Sequence, residues 1–117
     1  MTPRIVEADL ADADHGAHLV EMLDAFVRDP AVAGVPLPPD VRANLIEALR
    51  VHPTTRAWLA YEGDEPIGFA IGILAFSSFA AKPVLNVHDL GVLASRRGRG
   101  IGRALLLAME RCARELG

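Results

Sequence analysis

Six consecutive residues near the C-terminus, Arg97-Gly98-Arg99-Gly100-Ile101-Gly102, bring together what an anion site needs. Glycines let the backbone approach a ligand with no Cβ in the way. Arginines supply charge-assisted hydrogen bonds. A helix that starts at once presents N–H groups without intrahelical partners and the positive end of its dipole. With a strand leading into Ser95-Arg96, this order predicts a phosphate or pyrophosphate site. The plain alternative is a solvated, arginine-rich turn.

Spacing narrows the ligand. A Walker loop requires Gly-Lys-Ser/Thr, and this loop has no lysine. A Rossmann fingerprint places its third glycine at position 103, which is Arg103, and opens the chain instead of lying near its end. A second chemistry lies upstream at His88 and Asp89. A histidine of unperturbed pKa about 6.5 can take a proton from a nucleophile, and an aspartate can orient the ring or hold a cation. In an unbroken strand Asn86, His88 and Leu90 share one face and Val87 and Asp89 the other; a bulge would change that parity. The competing reading is a structural hydrogen bond inside a buried strand. His15 and His18 lie three apart on a helix with no third ligand nearby. They read as surface residues, and no metal site is expected. Cys112 falls at a helical core spacing and reads as packing, not as a nucleophile.

Seven elements must position these groups. A short strand at 3–7 precedes a helix capped by Asp12 or Asp14, with Leu19, Met22, Leu23 and Phe26 on one face. Asp29-Pro30 closes that helix. After a proline-rich loop, Pro38-Pro39-Asp40 starts a second helix whose stripe is Val41, Leu45 and Leu49, ended by His52-Pro53. A hairpin follows: strand 55–61, turn 62–65, strand 67–76, with Pro66 at the strand entrance and Gly68 and Gly72 marking a bulge or a close ligand approach. Trp58 and Tyr61 read as strand packing. An apolar strand at 84–94 leads to a helix over 100–116, with Ile101, Leu105, Ala108, Cys112 and Leu116 facing the core. The order β-α-α-β-β-β-α predicts an α/β fold of the α+β type, a mixed and mostly antiparallel sheet flanked by helices.

The chain has 117 residues, 51% of them hydrophobic, which suits one domain, 1–117, with a real core. Its longest apolar stretch, 67–76, is too short to span a bilayer, and residues 1–14 contain no apolar signal core. The expectation is a cytoplasmic protein with no membrane partner. The single cysteine cannot form an internal disulfide, which fits a reducing compartment. A net charge of −3 offers no general attraction to nucleic acid. Residues 1–40 hold eight acids against Arg4 and Arg28, whereas residues 96–103 hold four arginines and no acid. A basic knot on an acidic chain suits one compact anion.

The spacing Arg97-x-x-Gly100-x-Gly102 resembles the GNAT acetyltransferase signature, Gln/Arg-x-x-Gly-x-Gly/Ala. The approach Val87-His88-Asp89-Leu90-Gly91-Val92 and the continuation Arg103-Ala104-Leu105-Leu106 are similar to that family too, and the order of elements matches along essentially the whole chain. The resemblance implies an N-acetyltransferase that moves an acetyl group directly from acetyl-CoA, a cosubstrate, to a primary amine on a small molecule or protein. It implies that the backbone of Leu90 and Val92 pairs with the pantetheine arm and that the N–H groups of Gly98, Arg99, Gly100, Ile101 and Gly102 hold the pyrophosphate. Arg97, Arg99 and Arg103 would neutralise it. By the same analogy the Leu90 N–H serves the oxyanion, His88 is the candidate base and Asp89 its partner. The segments 76–79 and 31–37 would wall the acceptor pocket.

The resemblance also implies a further strand, helix and hairpin after the cofactor helix, often with a tyrosine that protonates the leaving thiolate; Tyr61 does not match it. The expectation is an incomplete domain whose central strand is an exposed edge, and hence a homodimer through that strand. A non-catalytic CoA-binding or interaction module, and a nucleotide-phosphate-binding domain, are the competing functions.

Overall fold

The computed structural model describes residues 2–116. Its elements are β1 (Arg4–Glu7), α1 (Ala13–Arg28), α2 (Pro39–Val51), β2 (Thr55–Glu62), β3 (Glu65–Ser77), β4 (Lys82–Val92) and α3 (Ile101–Leu116). A single 3-10 turn, Ala94–Arg96, stands between β4 and α3. The four strands form one sheet in the order β1-β2-β3-β4, every pair antiparallel. The expected mixed α/β architecture is therefore present, with β4 at one edge and helices on both faces.

Local chemistry sets the boundaries. Asp12 is the cap of α1: its carboxylate accepts the N–H groups of Asp14 and His15 at 2.9 and 3.2 Å. Asp29 ends the helix in an extended conformation, as the following proline requires. Pro39 opens α2, where a missing N–H does no harm. Gly63, with φ +62°, and Asp64 connect β2 to β3 by a two-residue turn of the II′ kind.

The sheet separates two apolar clusters. On one face Ala57, Leu59, Tyr61, Phe69 and Ile71 pack against Leu19, Met22 and Leu23 of α1. On the other, Trp58, Ala60, Ile67 and Ala70 pack against Ile101, Leu105, Met109 and Cys112 of α3. Strand β2 alternates faithfully between the two. Strand β3 breaks the alternation between Ile67 and Ala70 because its register against β2 shifts at Ala60/Tyr61. Gly68 and Gly72 both border register shifts, the bulge their positions offered, and both let α3 close in: a Cβ on Gly68 would lie 3.3 Å from Ile101 and one on Gly72 3.0 Å from Met109. Helix α3 therefore nests close to the sheet.

Two helix stripes differ from the sequence pattern. Met109 is buried and Leu116 exposed on α3, because the helix meets the sheet only as far as Cys112. No residue of α2 is fully buried; Val41 is exposed, while Leu45, Ile46 and Leu49 lie half-buried against the α1 cluster.

Asp24 is a buried carboxylate that periodicity does not reveal. One oxygen accepts the Leu37 N–H at 2.9 Å, and the other lies 2.9 Å from Arg28 Nε and 3.1 Å from an Arg42 nitrogen. It thus ties α1, the 29–38 loop and α2 together. The Leu37 hydrogen bond first, and the two arginines after it, hold its carboxyl below the ordinary range. Because the folded value is the lower one, this stabilisation is complete above the unfolded pKa of about 3.9 and lost as pH falls through the folded value. Asp24→Asn is expected to cost roughly 2 kcal/mol at neutral pH and to remove part of the acid sensitivity, read by urea unfolding at pH 7 and pH 3. Equal stability losses at both pH values would contradict this.

Candidate functional site

The glycine turn differs in detail from a strand running straight into a helix. Strand β4 stops at Val92, the 3-10 turn follows, and Gly98 and Gly100 take φ of +82° and +78°. A Cβ at either glycine would meet nothing within 4 Å. Glycine is needed here for the left-handed backbone, and the space beyond it is open. The first hydrogen bond of α3 runs from the Ala104 N–H to the Gly100 carbonyl at 3.0 Å. Among the described residues, the N–H groups of Ile101, Gly102 and Arg103 have no partner within the chain. Such a helix start can hold an anion.

The four arginines of the basic knot separate into different roles. Arg96 is structural: its Nε lies 3.0 Å from Glu62 and its Nη2 3.5 Å from Glu65, so it clamps the turn to the β2–β3 hairpin. Arg97 donates from Nε to the Val92 carbonyl at 3.2 Å and from Nη2 to Asp29 at 3.3 Å. Arg99 and Arg103 are exposed and carry no ion pair among the described residues.

Strand β4 contains the bulge on which the face assignments depend. Asp89 lies opposite Ile71 and Val87 opposite Gly72, so His88 is the extra residue. This corrects the parity of an unbroken strand. Asn86, opposite Ile73, now shares the α1 face with Asp89, opposite Ile71; Val87, opposite Gly72, shares the α3 face with Leu90, opposite Ala70. The side chain of His88 is 60% exposed, and its Nε2 stands 3.8 Å from Asp89 Oδ2, beyond hydrogen-bonding distance. The expectation of a buried structural hydrogen bond between them is therefore not met.

The Leu93 N–H donates inward to the Ile67 carbonyl at 2.9 Å. In an antiparallel ladder residues alternate in the side to which they turn their polar groups, so Leu90 and Val92 point theirs to the open edge. The Val92 carbonyl is met there by Arg97.

A mainly apolar cavity of about 360 Å³ lies between α1 and the end of β4. Phe26, Phe69, Asp29, Gly91, Val92 and Arg97 are among its walls. Gly91 makes room beneath it: a Cβ there would stand 2.7 Å from Phe69 and 2.9 Å from Phe26, whose rings meet edge to face at 5.5 Å. Neither segment 76–79 nor 31–37 lines this cavity; Phe76 and Phe79 are exposed near the β3–β4 turn.

The sequence profile of the Acetyltransferase (GNAT) family matches residues 16–117. The chain belongs to that family. Comparison with curated proteins gives no match. Among solved structures, an integron cassette protein from the mobile metagenome of Cole Harbour Salt Marsh is similar at 30% identity and TM-score 0.83, covering 97% of this chain and 71% of its own. A ribosomal-protein-alanine N-acetyltransferase from Brucella melitensis biovar Abortus 2308 shares the fold at 21% identity and TM-score 0.77, over 99% of this chain and 74% of its own. So does an aminoglycoside acetyltransferase from an uncultured soil metagenomic sample, in complex with sisomicin, at 18% identity and TM-score 0.75, over 97% and 70%.

Within this GNAT chain two other polar groups lie away from the turn. His15 and His18 are not simple surface residues. His15 Nδ1 accepts the Asp9 N–H at 2.9 Å, and His18 Nδ1 lies 2.7 Å from the hydroxyl of buried Tyr61, whose pKa burial raises. Cys112 is buried and its thiol is pushed up by desolvation, which suits packing. Among the described residues no group of three or more His, Cys, Asp or Glu side chains is placed to hold a metal ion, and no helix is long and apolar enough to cross a membrane. Asp29 is the site residue that sequence reasoning missed. Its only local signal is a helix-ending acid before proline, and its partner lies 68 positions away.

Proposed function

We propose that the protein transfers an acetyl group from acetyl-CoA to a primary amine. The observation that carries the reading is the start of α3, where partnerless N–H groups follow two left-handed glycines beside the outward-facing backbone of Leu90 and Val92. That arrangement suits a ligand with a pyrophosphate at one end and an amide chain at the other. The N–H groups of Gly98, Arg99, Gly100, Ile101 and Gly102 would receive the pyrophosphate, with Arg97, Arg99 and Arg103 balancing its charge. The amide chain would run along Leu90 and Val92 as an added strand. Acetyl-CoA, bound so, would supply an activated acetyl carbonyl.

In this proposal the chain's own groups act on protons and charge. The Leu90 N–H donates to the oxygen that gains negative charge. His88, exposed at the bulge, takes the proton of the attacking amine directly or through water, and Asp89 attracts the amine in its cationic form. The similar structures include one protein named for a ribosomal-protein alanine and one for aminoglycosides, so both protein and small-molecule amines belong in the acceptor panel. The outer edge of β4 pairs with no strand among the described residues, and we propose that a second copy pairs with its first half, away from Leu90 and Val92, as a homodimer in the cytoplasm.

The 3.8 Å gap between His88 and Asp89 favours a second reading, a CoA-binding module without catalysis. Calorimetry with acetyl-CoA, followed by thiol release over an amine panel, separates the two. The expected result is one-to-one binding, turnover with at least one amine, and a fall of roughly 100-fold in kcat for His88→Gln at unchanged acetyl-CoA affinity. Binding without turnover supports the module. Stronger binding of ATP than of CoA points to a nucleotide-phosphate site.

A further inference from the structure

Arg97 makes two contacts whose combination carries a consequence for ligand entry. Its Nε holds the Val92 carbonyl, one of the outward-facing acceptors on the β4 edge. Its Nη2 holds Asp29, the residue that ends α1. Arg97 and Asp29 both line the cavity between α1 and β4. The same guanidinium therefore spans the opening between helix and strand, occupies an edge acceptor, and stands beside the turn that offers its N–H groups to an anion.

We infer that Asp29 and Arg97 form a latch: without ligand, Arg97 ties Asp29 to the Val92 carbonyl, and a pyrophosphate at the glycine turn draws the guanidinium away from both. The Val92 carbonyl is then free for an amide N–H of the same ligand. This rests on the acetyl-CoA reading and makes Asp29 a positioning residue that acts through Arg97. The order of events follows from the charges. A pyrophosphate carries more charge than one carboxylate and meets the N–H groups of α3 at the same time. The pair it replaces is exposed, 58% at Arg97 and 32% at Asp29, and pairs of this kind correspond to about two- to fivefold in an equilibrium. Asp29 keeps its charge at neutral pH, since the Ala31 N–H first and Arg97 second hold its carboxyl below the ordinary range.

A latch of this kind couples two halves of one ligand. Whatever pyrophosphate does to the affinity for an amide chain, the amide chain must do to pyrophosphate. Pantetheine is a suitable probe because it carries amides and no charge, so the charge of pyrophosphate neither attracts nor repels it directly.

The experiment is an NMR titration of the labelled protein with pantetheine, with and without saturating inorganic pyrophosphate, beside calorimetry with CoA. The expected result is a two- to fivefold gain in pantetheine affinity when pyrophosphate is present. In Arg97→Ala that gain disappears, and pantetheine alone binds as tightly as it does to the pyrophosphate-loaded wild type. Asp29→Asn binds CoA two- to fivefold more tightly; asparagine still accepts the Ala31 N–H, seen here at 2.9 Å, so the loop keeps its shape. Should Asp29→Asn unfold, the Arg97→Ala comparison remains decisive. CoA binding with no effect of pyrophosphate on pantetheine overturns the latch alone. A folded wild type that binds no CoA overturns the latch together with the acetyl-CoA reading.

Discussion

Gly100→Val is expected to lower acetyl-CoA affinity at least 100-fold while the protein still folds cooperatively. Gly100 sits at φ +78°, where a side chain with a Cβ is strained. Valine must leave that conformation, and the N–H groups of Ile101 and Gly102 then turn with the chain. Each charge-assisted hydrogen bond contributes about 1.5–3 kcal/mol, so losing two exceeds the roughly 2.7 kcal/mol that corresponds to 100-fold. Collapse of the core is not expected, because nothing stands within 4 Å of the position a Cβ would take. Gly63→Val is the control: it carries similar strain at φ +62° in the β2–β3 turn and should leave CoA affinity unchanged. Calorimetry on both variants decides. Undiminished CoA affinity in Gly100→Val would show that the glycine turn is not the phosphate site.

The largest stability effect is expected at Phe69. Its ring is 1% exposed, meets Phe26 edge to face, and fills the space that Gly91 leaves open on β4. Phe69→Ala removes the largest fully buried side chain of the cluster between α1 and the sheet and should cost about 3–5 kcal/mol. Phe69→Leu keeps most of the volume and should cost about 1–1.5 kcal/mol. Urea unfolding of the two variants measures the difference. A loss below about 1 kcal/mol for the alanine variant would mean that α1 relaxes onto the sheet and refills the space.

Much of the architecture was legible because it depends on neighbours in sequence. The cap at Asp12, the stop at Asp29-Pro30, the entry at Pro39 and the Gly63-Asp64 turn are local devices, and the elements fall where those residues require. Two of the three glycines of the basic turn, Gly98 and Gly100, take positive φ, while Gly102 lies inside α3. What stayed hidden depends on distant partners. The bulge lies at Gly72, one of the two glycines that offered a bulge or a close ligand approach, but no residue in 84–94 says that His88 is the extra residue opposite it. Asp24 reads as one more acid on an acidic helix until Leu37 and Arg42 close around it. The arginines looked equivalent in the sequence. Glu62, Glu65 and Asp29 decide which of them are committed, and those acids come from a hairpin and a helix end far from the turn.

The order β1-β2-β3-β4 places three strands beside their immediate predecessors in the chain. Such a sheet can be assembled in the sequence in which it is synthesised. The β2–β3 hairpin closes through two residues and β3–β4 through four, so each loop closure costs little entropy. Only β1, separated from β2 by two helices, must wait for a long segment to return. The growing hairpin is thus the natural nucleus, and α3 follows the four strands whose face it covers. The turn with the candidate cofactor residues follows all four strands, so ligand affinity reports on a sheet already formed, not on the nucleus.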